Sequence, residues 1–270
     1  MIVFCLLSSG IYLLNDIVDA PADRLHPFKK NRPVASGKIA VPTALTLSIA
    51  LIIISLTTAA FWFPTAFLLV VAVFLLLQLS YTFFLKHVTL LDVLAIASAF
   101  ILRVFAGEAA TGYHINIWLF LTVVSMALFL ALGKRRSELT LLSGDGGILP
   151  KTRSTLSHYS EKMLDVYLSM FSTATWLTYT LYTFLAKPPA LRRTIGDLLE
   201  DTIIFTGADR KWLMITVPLV IYGIMRYLQL IYEKHEGESP DRVLLTDKPL
   251  LFTVGLWGIL VIAIIYIFGR

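Results

Sequence analysis

The sequence predicts an all-α, polytopic membrane protein of about eight transmembrane helices, organised as one domain over residues 1–270. Three observations predict it. Hydrophobic residues make up 57% of the chain and charged residues 15%, with a mean hydropathy of +0.77, well outside soluble usage. Apolar runs near the ~20 residues needed to cross a bilayer core recur along the whole length. Lys and Arg gather in alternate connections, the charge asymmetry of a multi-pass protein.

Taken in order, residues 1–14 are apolar but too short to cross alone. They carry no basic lead-in and no small-residue cleavage site, so they do not read as a signal peptide. They read instead as a half-span, or as the end of a helix whose beginning is missing. Seven full spans follow near 41–61, 64–84, 89–110, 115–133, 162–186, 212–232 and 249–268. The single cysteine, Cys5, lies in the first apolar run and reads as a small buried hydrophobe; it leaves no intrachain disulfide and no CxxC metal site.

With alternating spans, the connections at 15–40, 85–88, 134–161 and 233–248 share one side and hold most of the cations, including Arg24, Lys29, Lys30, Arg32, Lys38, Lys86, Lys134, Arg135, Arg136, Lys234, Arg242 and Lys248. That side is expected to be cytoplasmic and to carry the chemistry. The five histidines are scattered without metal-ligand spacing.

The stretch NDIVDAPADRLHPFKKNRPVASGK, residues 15–38, mixes both signs of charge. Asn15, Asp19 and Asp23 recur every four residues, and Asp16 stands three before Asp19, so a helix would aim several oxygens at one point. Hard oxygen donors suit Mg²⁺, whose coordination is commonly completed by water and substrate phosphate. Pro21 is expected to kink or end the helix near Ala20. Carboxylates alone would suggest a metal and cations alone an anionic lipid surface. Together they suit a metal-bound diphosphate, whose remaining oxygens need Lys or Arg. An acidic helix end beside an ordinary positive-inside loop is the plainer alternative.

This stretch resembles the NDxxDxxxD first motif of the UbiA-type membrane prenyltransferase superfamily, and more closely its decaprenyl-phosphate phosphoribosyltransferase branch. YTFFLKHVTLLDVLAIASAFILRVFAGEAA at 81–110, LGKRRSEL at 132–139 and SPDRVLLTDKPLLFTVGLW at 239–257 extend the resemblance over nearly the whole chain. It implies a helical bundle around a cytoplasm-facing cavity, with the family's first helix missing here. It implies transfer of 5-phosphoribosyl from phosphoribosyl diphosphate to a polyprenyl (decaprenyl) phosphate, releasing diphosphate with Mg²⁺, in cell-wall arabinan precursor synthesis at the plasma membrane. Asp16, Asp19 and Asp23 would be catalytic, with Asn15, Asp19 and Asp23 on the metal. Asn15, Lys29, Arg32, Tyr81, Lys86, Arg103, Lys134, Arg135 and Glu138 would bind substrate. Membrane lipids are the other expected partners; no nucleic acid is implied, and a homo-oligomer stays open.

Within 81–110, Arg103 lies deep in a span, where a charge is costly and usually faces a cavity or a partner. Asp92 stands eleven residues before it, on the same face but too far to pair with it directly. In GKRRSEL, Lys134 and Arg135 suit phosphates, Glu138 shares a face with Arg135, and Arg136 is expected among lipid headgroups. Asp241, Arg242 and Asp247 suit either the site or a solvated loop with a helix cap. Two rival functions remain: prenyl transfer from a prenyl diphosphate to an aromatic acceptor, and transport without covalent chemistry. The first usually brings a second Asp-rich motif where this chain has GKRRSEL. The second usually places ionisable groups near the midplane on broken helices, where only Arg103 and Arg226 stand here.

Overall fold

A computed structural model of the protein describes residues 1–24, 29–143, 159–185, 211–234 and 240–267. Among these residues every regular element is helical: α1 (Ile2–Asp23), α2 (Val41–Trp62), α3 (Thr65–Phe83), α4 (Leu91–Thr111), α5 (Ile117–Ser143), α6 (Glu161–Leu185), α7 (Val217–Lys234), α8 (Pro240–Thr246) and α9 (Lys248–Ile262). Short 3₁₀ turns lie at Lys29–Asn31, Leu85–His87 and Trp212–Thr216, and a π turn at Ala263–Ile267 extends α9.

Among the described residues, seven helical segments are long and apolar enough to cross a membrane: Ile2–Asp23, Val41–Trp62, Thr65–Phe83, Leu91–Thr111, Ile117–Thr140, Trp212–Glu233 and Lys248–Tyr266. The first corrects the expected half-span. Residues 1–14 continue without a break through the acidic motif, giving a helix of 22 residues. Pro21 does not end it at Ala20: two more helical residues follow the proline, and Arg24 N–H still reaches the Ala20 carbonyl at 3.2 Å. The helix α6, at 25 residues, is long enough but rich in Ser and Thr. Its hydroxyls satisfy themselves on the preceding turn, as Thr175 does on the Phe171 carbonyl at 2.6 Å and Thr178 on Ala174 at 2.7 Å.

The chain divides into two compact units, Met1–Ile115 with Glu138–Leu164, and Asn116–Ser137 with Asp165–Arg270. In the first, α1 packs on α2 through Gly10. A Cβ there would lie 3.0 Å from the Ser48 carbonyl oxygen, and the Ser48 hydroxyl donates to the Gly10 carbonyl at 2.7 Å. Phe4 of α1 meets Phe67 and Phe74 of α3 edge-on, and Val3, Leu7, Ile11, Ala59, Val71, Ala99 and Ala106 complete the apolar core. Pro64 forces Phe63 into extended backbone and separates α2 from α3. Gly112, at φ +74, closes α4 by returning its N–H to Glu108 at 2.8 Å. Cys5 is exposed, not buried, on α1. An apolar exterior is what lipid requires of a spanning helix, so a thiol of hydrophobic character suits that surface.

In the second unit, Tyr179 joins α6 to Thr216 at 2.6 Å and accepts from the Trp257 indole of α9 at 2.8 Å. Asp247 caps α9 by accepting from Leu250 N–H at 3.0 Å and takes two bonds from Arg226, at 3.1 and 2.7 Å. Arg226 therefore has a structural ion-pair partner, and Asp247 is the helix cap left open by the sequence.

Candidate active site

The acidic motif occupies the last turns of α1, where positions three, four and seven apart share a face. The chain then doubles back. Ser36 N–H bonds the Arg32 carbonyl at 2.8 Å, Ile39 N–H bonds the Pro33 carbonyl at 3.0 Å, and Arg24 Nε donates to the Ala35 carbonyl at 3.2 Å. Val34 seats this turn against Ala20 of α1 and Ala44 of α2. With the turn anchored, Arg32 reaches across the helix end, its Nη1 donating to Asp16 Oδ1 at 2.9 Å and Asp23 Oδ2 at 3.0 Å.

A second cation arrives from the turn between α3 and α4. Lys86 is buried in the 3₁₀ turn Leu85–His87, and its ammonium donates to Asp19 Oδ1 at 2.5 Å. Asp19 Oδ2 accepts from the Asn15 amide nitrogen at 2.9 Å, which leaves Asn15 Oδ1 buried without a hydrogen-bond partner. The structure thus brings together Asn15, Asp16, Asp19, Asp23, Arg32 and Lys86 in one cluster of alternating charge. Among the described residues no three His, Cys, Asp or Glu side chains stand ready as a metal cage. The oxygens present still fit a hard divalent cation. The orphaned Asn15 carbonyl beside Asp19 is a neutral and an anionic oxygen donor side by side, the set Mg²⁺ accepts when substrate and water supply the rest.

Tyr81 is half-buried on the last turn of α3, and the side chain of Lys29 lies outside the described residues, as do those of Asp241 and Arg242. Arg103 donates to Ser8 Oγ at 3.2 Å and lies over the rings of Phe74 and Phe100 at 5.3 and 5.6 Å. Ser8 and Asp19 are eleven residues apart on α1, about 16 Å along the axis, so Arg103 does not join the carboxylates. It borders a mainly apolar cavity of about 490 Å³ with Phe4, Cys5, Ser8, Phe63 and Phe67. As the spacing requires, it does not pair with Asp92.

On α5, Lys134 is half-buried while Arg135 and Glu138 are buried. Arg136 corrects the headgroup expectation. It is 9% exposed, its Nε bonds Asp165 Oδ1 at 2.8 Å, and its guanidinium lies 5.5 Å from the Tyr232 ring centre. A guanidinium carries enough donors and enough flat surface to be buried when a carboxylate and an aromatic ring meet it. Sequence reasoning missed Ser8 as the partner of Arg103 and Tyr159 as the partner of Asp92, its hydroxyl donating to Asp92 Oδ1 at 2.6 Å. Both are ordinary polar residues, separated in sequence from what they touch, and nothing local marks them.

Comparison with known proteins follows the same lines. The family model for the UbiA prenyltransferase family matches residues 1–136. The decaprenyl-phosphate phosphoribosyltransferase of Mycolicibacterium smegmatis is 32% identical over 95% of this chain and 76% of its own length. The protein of that name from Corynebacterium glutamicum is 33% identical over 98% of this chain and 74% of its own. Among solved structures, a UbiA homolog from Archaeoglobus fulgidus bound to GPP and Mg²⁺ superposes with a TM-score of 0.68 at 19% identity, covering 98% of this chain and 85% of that one.

Proposed function

Because this chain belongs to the UbiA prenyltransferase family, we propose that it moves the 5-phosphoribosyl group of phosphoribosyl diphosphate onto a polyprenyl phosphate, with release of diphosphate. The supporting relatives carry the name decaprenyl-phosphate phosphoribosyltransferase along nearly all of this chain. The observation that carries the reading is the mixed-charge end of α1, where Lys86 and the Asn15 amide bond Asp19, Arg32 bridges Asp16 and Asp23, and the Asn15 carbonyl oxygen is left without a partner.

In this reading Asn15, Asp19 and Asp23 would hold Mg²⁺, which would supply neutralisation of the charge that grows on a leaving diphosphate. Arg32 and Lys86 rest on carboxylates. They would be the cations available to phosphate oxygens, with which each would make charge-assisted hydrogen bonds. Asp16 would favour the positive charge of an anomeric carbon that gains oxocarbenium character. The acceptor phosphate is anionic already and needs placement more than a base. The prenyl tail stays in the bilayer, and the cluster, at the cation-rich ends of the spans, faces the cytoplasm.

The test uses purified protein in detergent with radiolabelled phosphoribosyl diphosphate, Mg²⁺ and a panel of polyprenyl phosphates. Label is expected in the organic phase, dependent on both Mg²⁺ and the lipid phosphate. Label that remains aqueous with every acceptor, together with prenyl transfer from a prenyl diphosphate to an aromatic acceptor, would overturn it.

A further inference from the structure

Lys86 owes its position to a turn of seven residues, Phe84–Leu90, that carries the chain from α3 into α4. Its first part is held by local bonds: Phe84 N–H to Ser80 at 2.9 Å, His87 N–H to Phe84 at 3.0 Å and Val88 N–H to Leu85 at 3.1 Å. Its last part depends on an unusual backbone. Leu90 sits at φ +70, ψ −37, and among the described residues no other non-glycine residue has a positive φ. A side chain with a Cβ is crowded there, so surrounding contacts must hold it.

Those contacts come from Tyr159, 69 residues away in sequence and 5% exposed. Its hydroxyl accepts from Leu90 N–H at 2.7 Å and donates to Asp92 Oδ1 at 2.6 Å. Asp92, 1% exposed, also accepts from Val93 N–H at 2.8 Å. One hydroxyl therefore ties the strained residue to the first turn of α4. Leu90 and Asp92 in turn mark where the Lys86 turn ends, since Asp92 N–H returns to the Val88 carbonyl at 3.2 Å and Leu94 N–H to the Leu90 carbonyl at 3.0 Å.

We propose that Tyr159 is a positioning residue: its hydroxyl holds Leu90 in the left-handed conformation and so fixes the turn that presents Lys86 to Asp19. The role in turnover rests on the reading of Lys86 as a cation of the donor site. The turn geometry does not rest on it. Tyr159 touches no substrate in this scheme and acts through the turn that carries Lys86.

The backbone route supplies its own rescue. Leu90 is 43% exposed, so Leu90→Gly removes little packing, and glycine adopts a positive φ without the hydroxyl's help. Tyr159→Phe is expected to lower kcat/KM for phosphoribosyl diphosphate about tenfold or more, Leu90→Gly to stay within about threefold of the parent, and the double variant to recover to within about threefold. A second readout needs no catalysis. Lys86 is 3% exposed, so its modification by an amine-reactive reagent, followed by peptide mass spectrometry, should be slow in the parent. It should rise about fivefold in Tyr159→Phe and fall back in the double variant. Leu90→Val keeps Tyr159 but makes the positive φ costlier, and should raise Lys86 labelling as well, which covers the case that Tyr159→Phe does not fold. Unchanged Lys86 labelling in folded Tyr159→Phe and Leu90→Val overturns the proposal, as does equal labelling in Tyr159→Phe and the double variant. Loss of the phosphoribosyl reading alone would appear as a parent without transfer activity whose labelling pattern still follows this order.

Discussion

Replacing Lys86 by Met removes one ammonium while keeping most of the stem's volume, and the surroundings of that ammonium set the expected loss. Lys86 Nζ donates to Asp19 Oδ1; the lysine side chain is 4% exposed and the aspartate 23%. For stability, Asp19 keeps the Asn15 amide as a donor and has access to water, so losing the cation should cost near the low end of the 1.5–3 kcal/mol typical of a charged hydrogen bond. That corresponds to a melting shift of roughly 3–6 °C for a chain of this size. Turnover should suffer more. A preorganised cation aimed at charge that develops in the transition state is worth about 2.7–4 kcal/mol, or a hundred- to a thousandfold in rate. Organic-phase label from radiolabelled phosphoribosyl diphosphate at sub-saturating donor measures kcat/KM, and size-exclusion behaviour with a thermal melt measures the fold. A folded Lys86→Met protein within threefold of the parent would refute the reasoning and leave Lys86 as a structural counter-ion of Asp19.

Asp19→Ala and Asp23→Ala should each abolish detectable transfer in protein that still inserts and purifies, and full activity in EDTA would remove Mg²⁺ from the scheme. The donor's 5-phosphate needs a cation of its own: neutralising at least one of Lys29, Arg32, Arg103, Lys134 and Arg135 should raise KM for phosphoribosyl diphosphate about ten- to a hundredfold while barely changing inhibition by free diphosphate. Equal weakening of both ligands in all five variants would favour a plain prenyl diphosphate donor. Gly10→Leu should push α1 from α2, because even a Cβ would lie 3.0 Å from the Ser48 carbonyl; a loss of about 1–3 kcal/mol, read as lower thermal stability, is the expected size, and an unchanged melt would contradict the crossing geometry.

The spans could be read from sequence because lipid admits a backbone only when its polar groups are satisfied within the segment, so length and hydropathy almost suffice. Pro21 misled because α1 runs two residues past it, to Asp23, so the helix does not end near Ala20. The carboxylate face of α1 was readable from a spacing of four. Its cations were only partly so. Arg32 lies nine residues past Asp23, and its reach depends on a turn anchored by Val34 and Ala35; Lys86 lies 67 residues past Asp19 and reaches it by helix packing. Arg136 stood in a run of cations at a helix end, where snorkelling is the general habit, and only Asp165 and Tyr232 in space made burial favourable.

The alternation of charge bears on which ligand the cluster can select. Three carboxylates without cations would attract a divalent ion yet repel the diphosphate that accompanies it. Two cations without carboxylates would hold diphosphate, but a lipid phosphate in the headgroup layer would satisfy them equally well. With Arg32 across Asp16 and Asp23, and Lys86 on Asp19, each cation is already paired with carboxylate. A bare lipid phosphate must therefore displace carboxylates and leave them unpaired at a partly buried site, which is unfavourable. A metal diphosphate brings a replacement for both sides at once, an ion for the carboxylates and oxygens for the cations. A donor bearing one phosphate more needs a further cation, so a variant that weakens phosphoribosyl diphosphate without weakening diphosphate is the one expected to discriminate between a phosphoribosyl and a prenyl donor.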